Sequence, residues 1–310
     1  MKVGVFLPVS GRAASGVLMD AARRAEALGF DSVWAADRIV TPWRIDTPYA
    51  YNEDRRFFVP PEVPFLEPLT ALAYLAGGTQ RITLGMSVMV MPYRHPLHWA
   101  KIATTLDHLS RGRFVLGVGV GWMVEEFAAL GRGDIFRERG AVSDEQLALV
   151  TRLWTEERPR FAGRYYRFEE VGFAPKPLQQ PRIPLWVGGE GAAARRRAGR
   201  FGDAWFPYFV RITAAALAAH FADVRREAER AGRDPSTVRL ACCLPIEVTH
   251  DPVPQEPDRV AGTPGQVAAA LRAFAAAGVE HVALQFMVPR WPERAEQIER
   301  FAADALPALR

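Results

Sequence analysis

Two glycine-rich stretches and one pair of histidines carry the residue types and spacings from which chemistry can be read. In Arg113–Trp122, RFVLGVGVGW, the apolar run Phe114–Leu116 passes into Gly117, Gly119 and Gly121, alternating with Val118 and Val120. A strand that loses its side chains on one side at its carboxyl end lets a flat ligand lie against bare backbone. Trp122 and the acidic pair Glu125–Glu126 follow at once. In the second stretch, Gly188, Gly189, Glu190 and Gly191 separate the strand-like LWV from a helix-like segment that starts at Ala192. Glycines ahead of a helix start expose backbone N–H groups, which form an anion site; a plain strand-to-helix turn is the alternative. His95 and His98, in MPYRHPLHW, offer imidazoles for general acid or base chemistry near neutral pH, or simply mark a helix start. The other histidines form no constellation, and no CxxC, HExxH or strand-end cluster of His, Asp and Glu predicts a metal site.

These residues need a scaffold, and strand-like and helix-like patterns alternate along the whole chain. Strands are expected at Val3–Val9, Ser32–Ala36, Ile82–Val90, Phe114–Val118, Leu185–Val187, Ala204–Phe206, Val238–Val248 and His281–Met287. Each is followed by a helical stripe: Leu18, Ala21, Ala25 and Leu28; Leu69–Ala76; Ile102, Leu106 and Leu109; Leu147, Val150 and Trp154; Ala192–Phe201; Leu217, Phe221 and Val224; Val267, Leu271 and Phe274; and Ile298, Phe301 and Ala305. Thr263–Gln266 reads as a capping box with proline at the first helical position. Eight such units in 310 residues fit a (β/α)8 barrel better than a doubly wound sheet. The expected organisation is one barrel domain over residues 1–310. Three segments exceed a minimal barrel: Thr41–Phe65, rich in proline and aromatics; Arg158–Pro184; and Asp251–Gly262. All three lie after or near odd-numbered strands and are expected as insertions covering the C-terminal face.

Composition narrows the function classes. The chain is 49% hydrophobic, carries a net charge of +4 and has its basic residues dispersed among acidic ones, a pattern that does not suggest nucleic-acid binding. No apolar run reaches the ~18 residues of a membrane span, and Met1–Pro8 lacks a signal-peptide pattern. Cys242 and Cys243 are adjacent, so on a strand they face opposite ways and form no disulfide with each other. A cytoplasmic location is expected.

Taken together, EALGFDSVWAAD, LSRGRFVLGVGVGWMVEEFAALG, the run FAGRYYRFEEVGFAPKPLQQPRIPLWVGGEGAAARRRAGRFGDAWFP, and GTPGQVAAALRAFAAAGVEHVAL resemble the bacterial-luciferase-like flavin and deazaflavin oxidoreductases. The resemblance covers nearly the whole chain, and the pattern is most similar to the subgroup that depends on coenzyme F420, a 5-deazaflavin. It implies a (β/α)8 barrel, commonly a homodimer, with the cofactor ring across the carboxyl ends of the strands. The implied reaction is hydride exchange between F420 and a small organic substrate. Monooxygenation with reduced FMN and oxygen is the alternative, and a non-catalytic flavin-binding barrel is a further one.

The resemblance also assigns residues. A cis peptide that the family often places against the cofactor falls on Ser87–Val88, within GMSVMV. Asp37 corresponds to a carboxylate that meets the polar edge of the ring, or else it caps a helix or pairs with Arg38. Arg38 stands where relatives often have a histidine, and it becomes a candidate catalytic group able to hold an anion bidentately. Trp122 replaces the catalytic glutamate of the deazaflavin sugar-phosphate dehydrogenases and either walls the pocket or packs the barrel rim. Gly119 and Gly121 form the ring's floor, and Gly188, Gly189, Glu190, Gly191 and Ala192 take a cofactor phosphate, with help from Arg195–Arg197. His95 is the second catalytic candidate because it falls close to the expected ring. The aromatics of Thr41–Phe65 line a substrate pocket or pack as an ordinary loop.

Overall fold

The computed structural model describes every residue except Arg12, Ala13, Glu53 and Pro289, and leaves the side chains of Ala14 and Ser15 undescribed. Eight parallel strands close a barrel among the described residues: β1 Lys2–Phe6, β2 Ser32–Ala35, β3 Thr83–Met86, β4 Phe114–Gly119, β5 Leu185–Val187, β6 Ala204–Trp205, β7 Arg239–Val248 and β8 Val279–Phe286. Closure comes from β8 pairing with β1 in the register Lys2↔His281 to Val5↔Leu284. Each strand is followed by a helix that returns along the outside, so the fold is the (β/α)8 barrel expected from the alternation.

Strand alternation sorts side chains into two layers. Leu240, Cys242 and Leu244 of β7 join the large core between strands and helices, whereas Ala241 and Cys243 join the smaller cluster inside the barrel. The two cysteines therefore point apart, and both are free thiols. Inside, Trp34, Trp186 and Phe206 pack ring to ring with centroids 4.6–5.1 Å apart. A β-carbon at Gly4 would lie 2.5 Å from the indole nitrogen of Trp34, so this glycine makes room for the large ring. That nitrogen donates to Ser32 Oγ at 2.7 Å. Ser32 Oγ lies 2.7 Å from His281 Nε2. Its own hydrogen is then free to donate to the imidazole, which stays neutral because burial depresses its pKa to about 3.

Element positions follow the sequence pattern closely, with physical exceptions. The run Ile82–Val90 is broken into Thr83–Met86 and Met89–Val90 by a cis peptide at Ser87–Val88, the bond implied by the family pattern. The helix Pro96–Leu109 buries Trp99, Ala103 and Leu106, while Leu109 is exposed at its end. Thr263 and Gln266 form the expected capping box. Short strands inside two of the insertions escaped sequence reading. Phe161–Ala162 pairs with Arg167–Phe168, and Val260–Gly262 extends the sheet beside β7.

The insertions also differ from expectation in placement. Thr41–Phe65 follows β2, an even-numbered strand, and supplies rim residues to the cavity at the carboxyl ends. Arg158–Pro184 runs along the outer flank instead. Asp107, at the C-terminal end of its helix, accepts from the backbone of Leu178 at 2.7 Å, and Gln179 Nε2 donates to the carbonyl of Phe114, the first residue of β4. This insertion therefore reaches the face where the strands begin.

Candidate active site

A cavity of about 330 Å³ opens at the carboxyl ends of the strands. Its lining draws on β1 through Phe6, the β2 end through Asp37 and Arg38, the β3 end through Ser87 and Val88, the β4 end through Trp122, and the β6 end through Tyr208. Gln285, Phe286 and Arg294 close the circuit from β8 and its helix. The glycines expected to form a cofactor floor have a different role. A β-carbon at Gly119 would lie 2.6 Å from Val88 Cγ2, one at Gly188 would lie 2.9 Å from Val88 Cγ1, and one at Gly117 would collide with the backbone oxygen of Met86. Gly117, Gly119 and Gly188 are the seat of the Ser87–Val88 bulge, and it is Val88 that faces the cavity. Gly121 has φ +77 and lies against Phe127 and Val90, and the next residue is the cavity-lining Trp122.

Beside Val88 sits a buried ionic cluster. Arg38 is 8% exposed and pairs through Nη1 with Glu126 Oε2, not with Asp37. The fully buried Glu126 also accepts from Tyr93 Oη at 2.8 Å and from the backbone N–H groups of Ile39 and Val40 at 2.9 and 3.2 Å. Four donors thus converge on its two oxygens. Burial and the Glu126 charge push the Tyr93 hydroxyl well above its ordinary pKa, so it stays a donor. The guanidinium of Arg38 lies 4.7 Å from the Phe57 ring centroid and 5.7 Å from that of Trp122. Asp37 reaches the lining, but its carboxylate is committed: Arg94 grips it with both terminal nitrogens at 2.6 and 2.8 Å, and Val90 N donates at 2.8 Å. That arrangement ties the β2 end to the segment after the cis peptide and leaves Asp37 little to offer a ring edge.

The insertion supplies the outer wall. Tyr49 packs against Trp122 and Phe57 with centroids 5.0 and 5.3 Å away. Burial raises its hydroxyl pKa to about 12. Tyr51 donates to the Glu190 carboxylate at 3.0 Å, and the backbone of Tyr208 donates to the same group at 3.1 Å. Glu190 has turned inward to latch the insertion onto the β5 and β6 ends, and burial raises its pKa. Behind it, Gly189 has φ +98, and the helix Ala192–Phe201 starts with Gly191, Ala192 and Ala193 all exposed. Space is open around Gly191. This helix start fits a phosphate, and the three arginines behind it have separate surroundings. Arg195 bonds Asp223 and the Glu190 carbonyl, Arg197 is buried against Asp144, and only Arg196 is exposed.

His95 is not brought into the cavity. It begins the helix Pro96–Leu109, with its ring edge-on to Tyr166 at 5.6 Å and its pKa lowered by burial and by Arg132. No group of three or more His, Cys, Asp or Glu among the described residues is placed to hold a metal.

The family model described as luciferase-like monooxygenase matches residues 1–253. The chain belongs to this family. It is 34% identical over 218 residues to an F420-dependent hydroxymycolic acid dehydrogenase of Mycobacterium tuberculosis, covering 70% of this chain and 55% of the relative. It is 38% identical over 193 residues to an F420-dependent glucose-6-phosphate dehydrogenase of Intrasporangium calvum, covering 60% and 52%. The chain thus spans about half the length of these relatives. In fold it is similar to an F420-dependent secondary alcohol dehydrogenase solved with an F420–acetone adduct, with TM-score 0.79, 20% identity, and 100% and 99% of the two chains covered.

For this luciferase-like protein, sequence reading missed the most heavily bonded residue of the site. Glu126 was visible only as one of an acidic pair after Trp122. Of two adjacent helical residues beside a buried strand end, at most one can face solvent fully, and that was the available signal. Its neighbour Glu125 accepts from the backbone of Asp46 and Thr47 and from the Thr47 hydroxyl, which pins the insertion from the other side. The Tyr51–Glu190 and Tyr208–Glu190 bonds join residues 139 and 18 positions apart and carry no local signature.

Proposed function

We infer that this protein is an F420-dependent oxidoreductase built as one barrel domain over residues 1–310. The observation that carries the reading is the cavity at the strand ends, which Val88 lines above its seat of Gly117, Gly119 and Gly188, with the exposed helix start at Gly191 three residues after the last of these. The F420-dependent relatives support the choice of deazaflavin, and FMN is the competing cofactor. When bound, F420 would accept or supply a hydride at the substrate carbon. Ser87, Val88 and Trp122 would then bound the ring, and the N–H groups of Gly191 and Ala192 would hold its phosphate. Tyr49, Phe57 and Trp122 exclude water from the cavity, and Arg38 presents a cationic group there. The proposed form is a cytoplasmic homodimer, in keeping with the family pattern and the two unpaired thiols.

Titration of the purified protein with F420 and with FMN, followed by fluorescence quenching, tests the reading. F420 is expected to bind and FMN to bind more weakly; binding of FMN alone overturns the assignment. Oxidation of reduced F420 by a panel of carbonyl, imine and activated-alkene acceptors is expected, and its absence across the panel favours a non-catalytic cofactor-binding barrel.

A further inference from the structure

We propose that the free edge of Arg38 reads a carboxylate on the substrate, so that the substrate is a planar apolar or aromatic acid. The inference rests on the oxidoreductase reading only in calling the ligand a substrate. Its basis is how the guanidinium is used. Nη1 is taken by Glu126 and lies 3.6 Å from Met123 Sδ. Nε is buried and has no hydrogen-bond partner, and Nη2 makes no hydrogen bond among the described residues. Nε and Nη2 project along one edge of the planar group, the edge that accepts two carboxylate oxygens in parallel. Phe57 and Trp122 lie against the guanidinium. A partner that meets the free edge in plane, as a carboxylate does, avoids both rings.

The surrounding charges point the same way. The oxygens of Glu126 are saturated by four donors, those of Asp37 are held by Arg94 and Val90, and Glu190 accepts from Tyr51 and Tyr208. What these groups leave toward a ligand is donor capacity. A carboxylate gives each of the two N–H groups its own oxygen, whereas a single carbonyl oxygen has to be shared between them. Tyr49, Phe57 and Trp122 supply apolar surface for the rest of the molecule.

Calorimetric titration of the full chain with benzoate and with benzamide, its uncharged counterpart, tests this with and without saturating F420. Benzoate is expected to bind about tenfold or more tightly than benzamide. Arg38→Lys, which keeps the charge but loses the fork, and the paired variant Arg38→Met/Glu126→Gln are expected to erase the difference, with circular dichroism verifying that both fold. Absence of benzoate binding, equal affinities in the wild type, or a preference that survives in both variants overturns the proposal. Displacement of benzoate by F420 also overturns it, because the edge then belongs to the acidic tail of the cofactor. Failure of the wild type to quench F420 fluorescence is a separate result, which removes the cofactor assignment and leaves the benzoate comparison to decide the role of Arg38.

Discussion

Glu126→Gln is the substitution whose consequence can be worked furthest from the structure. The carboxylate offers two oxygens to four donors: Ile39 N and Val40 N on one, Tyr93 Oη and Arg38 Nη1 on the other. A glutamine has a single oxygen. If its oxygen faces the backbone pair, its amide nitrogen confronts Arg38. If it faces Arg38, the two backbone N–H groups lose their acceptor. Either way Arg38 remains buried with its counter-charge gone. Breaking a buried pair on one side costs about 3–5 kcal/mol. An unfolding entropy of about 2.1 cal/mol/K per residue amounts to about 0.65 kcal/mol/K for 310 residues, so Tm should fall by about 5–8 °C. The paired variant Arg38→Met/Glu126→Gln removes the orphaned cation. Its amide oxygen can then serve the backbone N–H groups while its nitrogen donates to the Tyr93 oxygen. That variant should recover to within about 2–3 °C of the wild type, since apolar replacement of a buried pair is often near neutral. Differential scanning calorimetry at pH 7 and one scan rate measures all three proteins. A single variant within about 1 °C of the wild type, or a paired variant less stable than the single one, refutes the reasoning.

Two further outcomes are expected. The imidazole of His281 has its pKa depressed from 6.5 to about 3 by burial, so the unfolded chain takes up a proton below pH 6.5 that the folded barrel refuses. Stability is therefore lost as pH falls from 6.5 toward 3, by up to ~2 kcal/mol at pH 5 from this residue. The urea midpoint of His281→Gln should show a shallower pH dependence over that window, and identical slopes would refute the assignment. Gly119→Ala places a β-carbon 2.6 Å from Val88 Cγ2 and should push Val88 toward the cavity, at an overpacking cost of about 1–3 kcal/mol. F420 binding, read by fluorescence quenching, should weaken in Gly119→Ala. Gly232→Ala, in an open turn far from the cavity, controls for a general loss of stability, and equal F420 affinity in Gly119→Ala and wild type would show that the seat does not govern the site.

The barrel was legible in the chain because its signal is local and repeated. Periodicity switches between 2 and 3.6 at every strand–helix junction, and capping residues such as Thr263 and Gln266 mark a helix start wherever they fold. Bulge and turn positions were legible for the same reason: glycine at 117, 119 and 188 signals that a side chain is forbidden. It does not say what fills the space. Sequence reading assigned that space to a cofactor, whereas the fold fills it with Val88, which the cis peptide brings across from β3. Arg38 and Trp122 line the cavity at the strand ends. His95 does not, because the helix it begins carries it outward to Tyr166.

By itself, then, the amino-acid order determined the eight-unit alternation, the family pattern, the two-sided placement of Cys242 and Cys243, and the helix start at Gly191. Only the tertiary structure decided the pairings across the cavity. Arg38 reaches Glu126 across 88 positions, Arg94 reaches Asp37 across 57, and Tyr51 reaches Glu190 across 139. The physical reason is that a buried charge must find a partner, and closing the barrel brings distant strand ends to one rim. Local propensity selects the elements, but which donor meets which acceptor is settled only when the strand ends converge.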